Sequence, residues 1–231
     1  MSHHRVETTG ESNRPQVSCN SACVFVIDDD AGALRSLARL VKRQGLTVQP
    51  FASARQFLAE ADHDAPGCLV LDCPAPGLSG PELLDHMNES GVSRPTIFIS
   101  GKADIATSVA AMKAGAVDFL LKPLDGPALI AAIHSAVSKD AERRQIASRR
   151  AEAANLLATL TVRETQVLEY LLCGRLNKQI AAELGIVEKT VKVHRARMHA
   201  KLGLRSMAAV VRMVDLARSL RTNKVPSEIT A

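Results

Sequence analysis

Residues 24–34 read VFVIDDDAGAL: four apolar residues run straight into three consecutive carboxylates, and an apolar-periodic stretch follows. A short continuous apolar run suits a strand covered on both faces. Three like charges a few ångströms apart raise one another's pKa and repel. Such a cluster is tolerable when the side chains spread into solvent, or when a cation sits among them.

Outward from this stretch, short apolar runs alternate with helical patterns. CVFVI (23–27), LTVQPF (46–51), CLVLD (68–72), TIFIS (96–100) and VDFLL (117–121) are predicted strands. Helical spacing occupies 31–44, 53–61, 79–89, 103–114 and 126–139, with Ser or Asp at starts and Gly at stops. Five strands alternating with five helices predict an α/β fold with right-handed crossovers and a doubly wound parallel sheet; with the flavodoxin-like order 2-1-3-4-5, strands 1, 3, 4 and 5 have adjacent carboxyl ends.

Ligands of such sheets bind at the carboxyl ends of the strands. Asp28, Asp29 and Asp30 leave strand 1, Asp72 ends strand 3, Ser100 ends strand 4, and Lys122 follows strand 5. Each signal is ordinary alone, since a strand-end Asp is often a helix cap and Lys-Pro is common loop chemistry. Their order at four strand ends gives the pattern its weight. Hard oxygen donors at this density suit Mg²⁺, which takes few carboxylates and keeps several waters. Asp30 reads best as the N-cap of the first helix.

Charge divides the chain. Residues 21–140 carry ten positive and fourteen negative charges, whereas 141–231 carry seventeen positive and eight negative. An acidic first part and a basic last part point to two jobs, the second involving a polyanion. With no Trp, one Tyr and five Phe, aromatic base-stacking platforms are excluded. The five Cys form no Cys-x-x-Cys pair and read as reduced thiols. No apolar run reaches membrane-spanning length, so no membrane partner and a cytoplasmic location are expected.

Beyond residue 140, DAERRQIASRRAEAANLLA (140–158) reads as a helical linker continuing the fifth helix. Helices are then predicted at 161–173, 177–184, 188–201 and 205–220, an all-α second domain with the short turns of a helix-turn-helix. The expected layout is a disordered tail (1–21), the α/β domain (22–139), the linker (140–158), the basic helical domain (159–221) and a tail (222–231).

VFVIDDD, LVLD, AMKAGAVDFLLKP and the trailing helices resemble a two-component response regulator of the FixJ/NarL group, with a LuxR-type helix-turn-helix. The resemblance covers about residues 23–139 and 159–214. It implies that Asp72 accepts a phosphoryl group from a sensor histidine kinase. It further implies that Asp28, Asp29, Asp72 and the main-chain carbonyl of Pro74 hold Mg²⁺. Lys122 then meets the phosphoryl oxygens, Ser100 is the switch hydroxyl and Phe119 the switch aromatic. Phosphoryl transfer needs mainly in-line positioning and cations that neutralise spread charge, which agrees with these residue types. The family's usual Asp-x-x-Met-Pro is replaced by DCPAPG (72–77), so Pro74 keeps a carbonyl but offers no N–H.

LTVRE, NKQIA, TVKVH and KLGL resemble the LuxR-type domain, with the recognition helix at 188–201. Val191, Met198 and Leu202 should pack inward, leaving Thr190, Lys192, Val193, Arg195, Ala196 and Arg197 for DNA. The resemblance places Lys192, Val193 and Ala196 at bases and Lys178, His194, Arg195 and Lys201 at phosphates. Val187 stands where the family commonly has an N-cap Ser, a loss of about 1 kcal/mol. Implied partners are the sensor kinase, double-stranded promoter DNA, RNA polymerase and, after phosphorylation, a second copy of the chain.

Two other readings fit parts of the sequence. A receiver that takes no phosphoryl group would make the chain a constitutive DNA-binding regulator. VIDDDAGAL also fits the Asp-x-Asp start of haloacid-dehalogenase-type phosphatases, with Asp28 as nucleophile and Asp30 as acid/base. That family needs a further acidic pair after its Lys, where this chain offers only Asp125 and Asp140 before the basic domain. The chain is therefore read as a regulator and not an enzyme.

Overall fold

A computed structural model describes residues 22–73, 80–101 and 105–219. The two predicted tails and the stretch carrying Pro74 lie outside these residues. Five parallel strands, β1 (Cys23–Ile27), β2 (Thr47–Phe51), β3 (Gly67–Cys73), β4 (Thr96–Ser100) and β5 (Asp118–Leu121), form one sheet of order β2-β1-β3-β4-β5. Helices α1 (Ala31–Lys42), α2 (Ala54–Glu60), α3 (Gly80–Glu89), α4 (Ile105–Lys113) and α5 (Gly126–Ala158) follow the strands in turn.

The strands are apolar on successive residues because both faces of the sheet are covered. Phe25, Ile27, Leu69, Leu71 and Phe98 point to one side and pack with Phe57 of α2 and Leu83 and Met87 of α3. Val24, Val26, Val70, Ile97 and Ile99 point to the other and meet Leu37 and Val41 of α1 and Leu129 and Ile133 of α5. β2 lies at an edge and pairs only with β1, which is where a strand proline such as Pro50 is tolerated.

Among the described residues, contacts divide the chain into two compact units, 1–141 and 142–231. The fifth helix and the predicted linker are one uninterrupted helix of 33 residues, α5, which continues across that division. No Gly or Pro interrupts residues 128–158, so nothing in the sequence stops it.

The second unit is helical: the end of α5, α6 (Val162–Leu172), α7 (Asn177–Leu184), α8 (Glu188–Leu202) and α9 (Met207–Arg218). Leu168, Met198, Leu202, Val210 and Val214 form one core cluster; Val167, Ile180, Ala181 and Val191 form another. Thr161 and Glu164 make a reciprocal capping box at the start of α6. Between α7 and α8, Gly185 takes φ 65°, a left-handed cap that lets the chain turn within three residues.

Candidate functional site

Strand register builds the acidic site. Ile27 lies beside Leu71 and Cys73 beside Ser100, so the residues leaving β1, β3 and β4 share one edge of the sheet. There, carboxylate oxygens of Asp28, Asp29 and Asp72 all lie within 4.8 Å of one another. Asp28 and Asp72 are buried, and Asp29 is exposed. From beyond β5, Lys122 reaches back so that its Nζ lies 2.9 Å from Asp72 Oδ1 and 3.4 Å from Asp28 Oδ2.

Each carboxylate has its own setting. Asp28 accepts from the Asp30 N–H at 2.9 Å. Burial, helped by the charge of Asp72, pushes the Asp28 carboxyl up despite that bond and despite Lys122. Burial works against the Lys122 ammonium, yet its hydrogen bond to Asp72 and the charges of Asp72 and Asp28 hold it above its ordinary value. Asp30 caps α1, accepting from the N–H groups of Gly32 at 2.6 Å and Ala33 at 3.3 Å. Those bonds hold its carboxyl below the usual range.

Two strand-end residues flank the cluster. Ser100 is buried at the end of β4, and its carbonyl accepts from the Lys122 N–H at 2.8 Å. Phe119 on β5 is half-buried against the core face built around Phe25 and Phe98. Cys73 is buried beside Asp72, where burial and that charge push its thiol up to about 11. A thiol so held is a poor thiolate at neutral pH. The Gly80 N–H donates to Cys73 at the start of α3.

In the second unit, α6 and α7 both pack on α8. Val191, Met198 and Leu202 are buried, so the opposite side of α8 faces outward. Lys192, Val193, Ala196 and Arg197 are exposed there, and so is Lys178 on α7. Thr190, His194 and Arg195 are half-buried at the edges of that surface. Arg195 donates to Asn177 Oδ1 at 2.9 Å, which ties α8 to the start of α7. Val187 is the N-cap of α8 and makes no side-chain cap bond.

Residues 24–134 match the response regulator receiver domain family, and residues 158–214 match the bacterial regulatory proteins of the luxR family. Over 91% of its length the chain is 40% identical to Nodulation protein W of Bradyrhizobium diazoefficiens, of which it covers 92%. The chain belongs to the two-component response regulators. The regulator is also 42% identical to the transcriptional regulatory protein FixJ of Azorhizobium caulinodans, over 84% of this chain and 92% of that one. Among solved structures it resembles the response regulator StyR, with a TM-score of 0.77 and 42% identity, covering 84% of this chain and 98% of that chain. FixJ is a transcriptional regulatory protein, and the Asp30 side chain here is the N-cap of α1.

One residue expected at phosphate also has partners within the helical unit. The Lys201 ammonium is 2.6 Å from Glu164 and donates to the Thr159 carbonyl at 3.1 Å. Glu164 is buried and its charge needs a partner, which Lys201 supplies while its own side chain stays 35% exposed. Conversely, Lys189 was not singled out by sequence, although it is exposed on α8 four residues before Val193 and seven before Ala196. That i, i+4, i+7 spacing is the signal that would have found it.

Proposed function

We propose that this regulator accepts a phosphoryl group on Asp72 and that the modification controls its binding to promoter DNA. The observation that carries the reading is the gathering of Asp28, Asp29 and Asp72 around one point, with Lys122 against two of them. Asp28, Asp29 and Asp72 would hold Mg²⁺, joined by the main-chain carbonyl of Pro74; three hard oxygen donors with one side open to water fit that ion. Bound there, Mg²⁺ supplies positive charge opposite the phosphoryl oxygens.

The chain's own residues carry the rest. A carboxylate oxygen of Asp72 attacks the phosphorus of a phosphohistidine; an O–P bond forms and the N–P bond breaks. Lys122, already at Asp72, neutralises charge on the incoming group. The aspartyl phosphate then draws the Ser100 hydroxyl toward it, and Phe119 repacks inward. The phosphodonor is a sensor histidine kinase. Along α1, Arg35, Arg39, Lys42 and Arg43 line an open groove of about 500 Å³, a basic stripe suited to an acidic helix of that partner.

Phosphorylation promotes pairing of two copies. Val109 and Met112 on α4 and Leu121 on β5 are exposed apolar residues on neighbouring elements, a surface suited to burial in a dimer. Two recognition helices would then meet a two-fold promoter site, with Lys192, Val193 and Ala196 at base edges and Lys178, Arg195 and Arg197 at phosphates. The decisive experiment treats the full chain with a small phosphodonor and Mg²⁺, then measures mass and DNA affinity. One phosphoryl addition with tighter binding is expected, both lost in Asp72→Asn; an Asp72→Asn protein that binds like phosphorylated wild type would overturn the reading.

A second reading is favoured by the DCPAPG segment, since Pro74 has no N–H for a phosphoryl oxygen and no polar side chain to orient water. In that case DNA binding is independent of the phosphodonor, and the same experiment shows it.

A further inference from the structure

The charged residues exposed on α8 are basic, with one exception. Glu188 is the single acidic residue of the helix, it occupies the first turn, and its side chain is 46% exposed. Its carboxylate lies 3.1 Å from the Lys192 ammonium, one turn further on. Exposed pairs of this spacing contribute only about 0.3–0.5 kcal/mol and a first-turn acid gains about 0.3–1 kcal/mol from the helix N-terminus, so stability is a modest reason for an acid at this position. On a surface that meets a polyanion, a carboxylate repels phosphate unless it finds a hydrogen-bond donor. The major groove offers such donors at the cytosine N4 and adenine N6 amino groups.

Geometry separates the two. Adenine places its N7 acceptor beside N6, which a carboxylate would meet unfavourably. A C·G pair presents the N4 donor of cytosine next to the O6 and N7 acceptors of guanine. An acid and a base held side by side match that donor–acceptor sequence, and the N-terminal turn of a recognition helix is the part that reaches base edges. We propose that Glu188 is a specificity-determining residue: its carboxylate accepts from cytosine N4 while Lys192 donates to the paired guanine, so each half-site carries a C·G pair under the first turn of α8. The inference rests on α8 being the DNA-reading helix.

The test is selection of binding sites from randomised duplexes, using the full-length protein with a small phosphodonor and Mg²⁺. Wild type is expected to enrich a C·G pair at one position of each half-site. Glu188→Ala should lose that preference by about tenfold with the remaining positions unchanged. Glu188→Gln should move it toward adenine, because an amide can satisfy N6 and N7 together. Helix content and melting temperature, measured on the same samples, separate readout from a merely supporting role. An enriched sequence identical in wild type and Glu188→Ala overturns the proposal while leaving α8 as the recognition helix. Absence of any enriched sequence with wild type overturns both.

Discussion

Lys122 and Asp72, fifty residues apart in the chain, form an ion pair of 2.9 Å at the carboxyl end of the sheet. The lysine therefore already stands where a phosphoryl group on Asp72 would place its negative charge. Lys122→Ala is expected to lower phosphorylation by a small phosphodonor about a hundred- to a thousandfold, the scale of one lost electrostatic contact. Phosphate incorporation over time, followed by mass spectrometry, measures it; a rate equal to wild type would remove Lys122 from the reaction.

The same carboxylates oppose one another when no metal neutralises them, because three of them share a space 4.8 Å across. Asp28→Asn keeps an acceptor for the Asp30 N–H and removes one charge. In Mg²⁺-free buffer this variant should melt a few degrees higher than wild type, about 1 kcal/mol of relief. Its Mg²⁺ affinity should fall at least about tenfold. Thermal melts with and without Mg²⁺ give both numbers.

Glu164 sets the acid stability of the helical unit. Its hydrogen bond from Lys201, then that from the Thr161 N–H, hold its carboxyl down at about 2. A carboxyl whose folded pKa is depressed stabilises the fold above its unfolded pKa and loses that contribution as pH falls. The loss should therefore run from the usual 4.5 down to about 2. Glu164→Gln is expected to cost about 2 kcal/mol at neutral pH, leaving Lys201 without its partner, and to flatten the acid limb of a pH–stability curve. An unchanged acid limb would remove this pair from the account.

Gly67 opens β3 at φ 142°, and a Cβ there would collide with the Cys23 carbonyl oxygen. Its N–H donates at 2.9 Å to the buried carboxylate of Asp140 on α5, 73 residues away. Gly67→Ala should prevent folding of the first unit, whereas Asp140→Asn should fold and Asp140→Ala should lose about 1–3 kcal/mol. Soluble yield and urea midpoints rank the three.

Exposed apolar residues on α4 give the dimer proposal its own test. Met112 is 52% exposed, so Met112→Glu should fold normally. With phosphodonor present it should remain monomeric in sedimentation while wild type pairs. A dimeric Met112→Glu would move the interface elsewhere.

Strand and helix periods were legible along the chain, because a sheet covered on both faces needs runs such as VFVI and CLVL, and these are local properties. The acids at the strand ends were legible because each follows directly on an apolar run, while the sheet order β2-β1-β3-β4-β5 decided which ends are neighbours. The helix-turn-helix showed itself through short turns and Gly185. What the chain alone did not disclose were pairings between distant residues. Lys201 looks in sequence like any exposed cation of a basic helix, and only packing of α6 on α8 brings Glu164 to it across 37 residues. Lys189 and Glu188 acquired meaning once the buried side of α8 was known, since exposure depends on which residues the neighbouring helices cover.

The amino-acid order thus determined the elements, their succession and the kinds of side chain at the sheet's open end. Tertiary structure decided which charges meet: Lys122 with Asp72, Lys201 with Glu164, Asp140 with the start of β3. The physical reason is range. Hydrophobic periodicity acts over a few neighbours, while a buried charge finds its partner only when the fold has brought remote segments within a few ångströms.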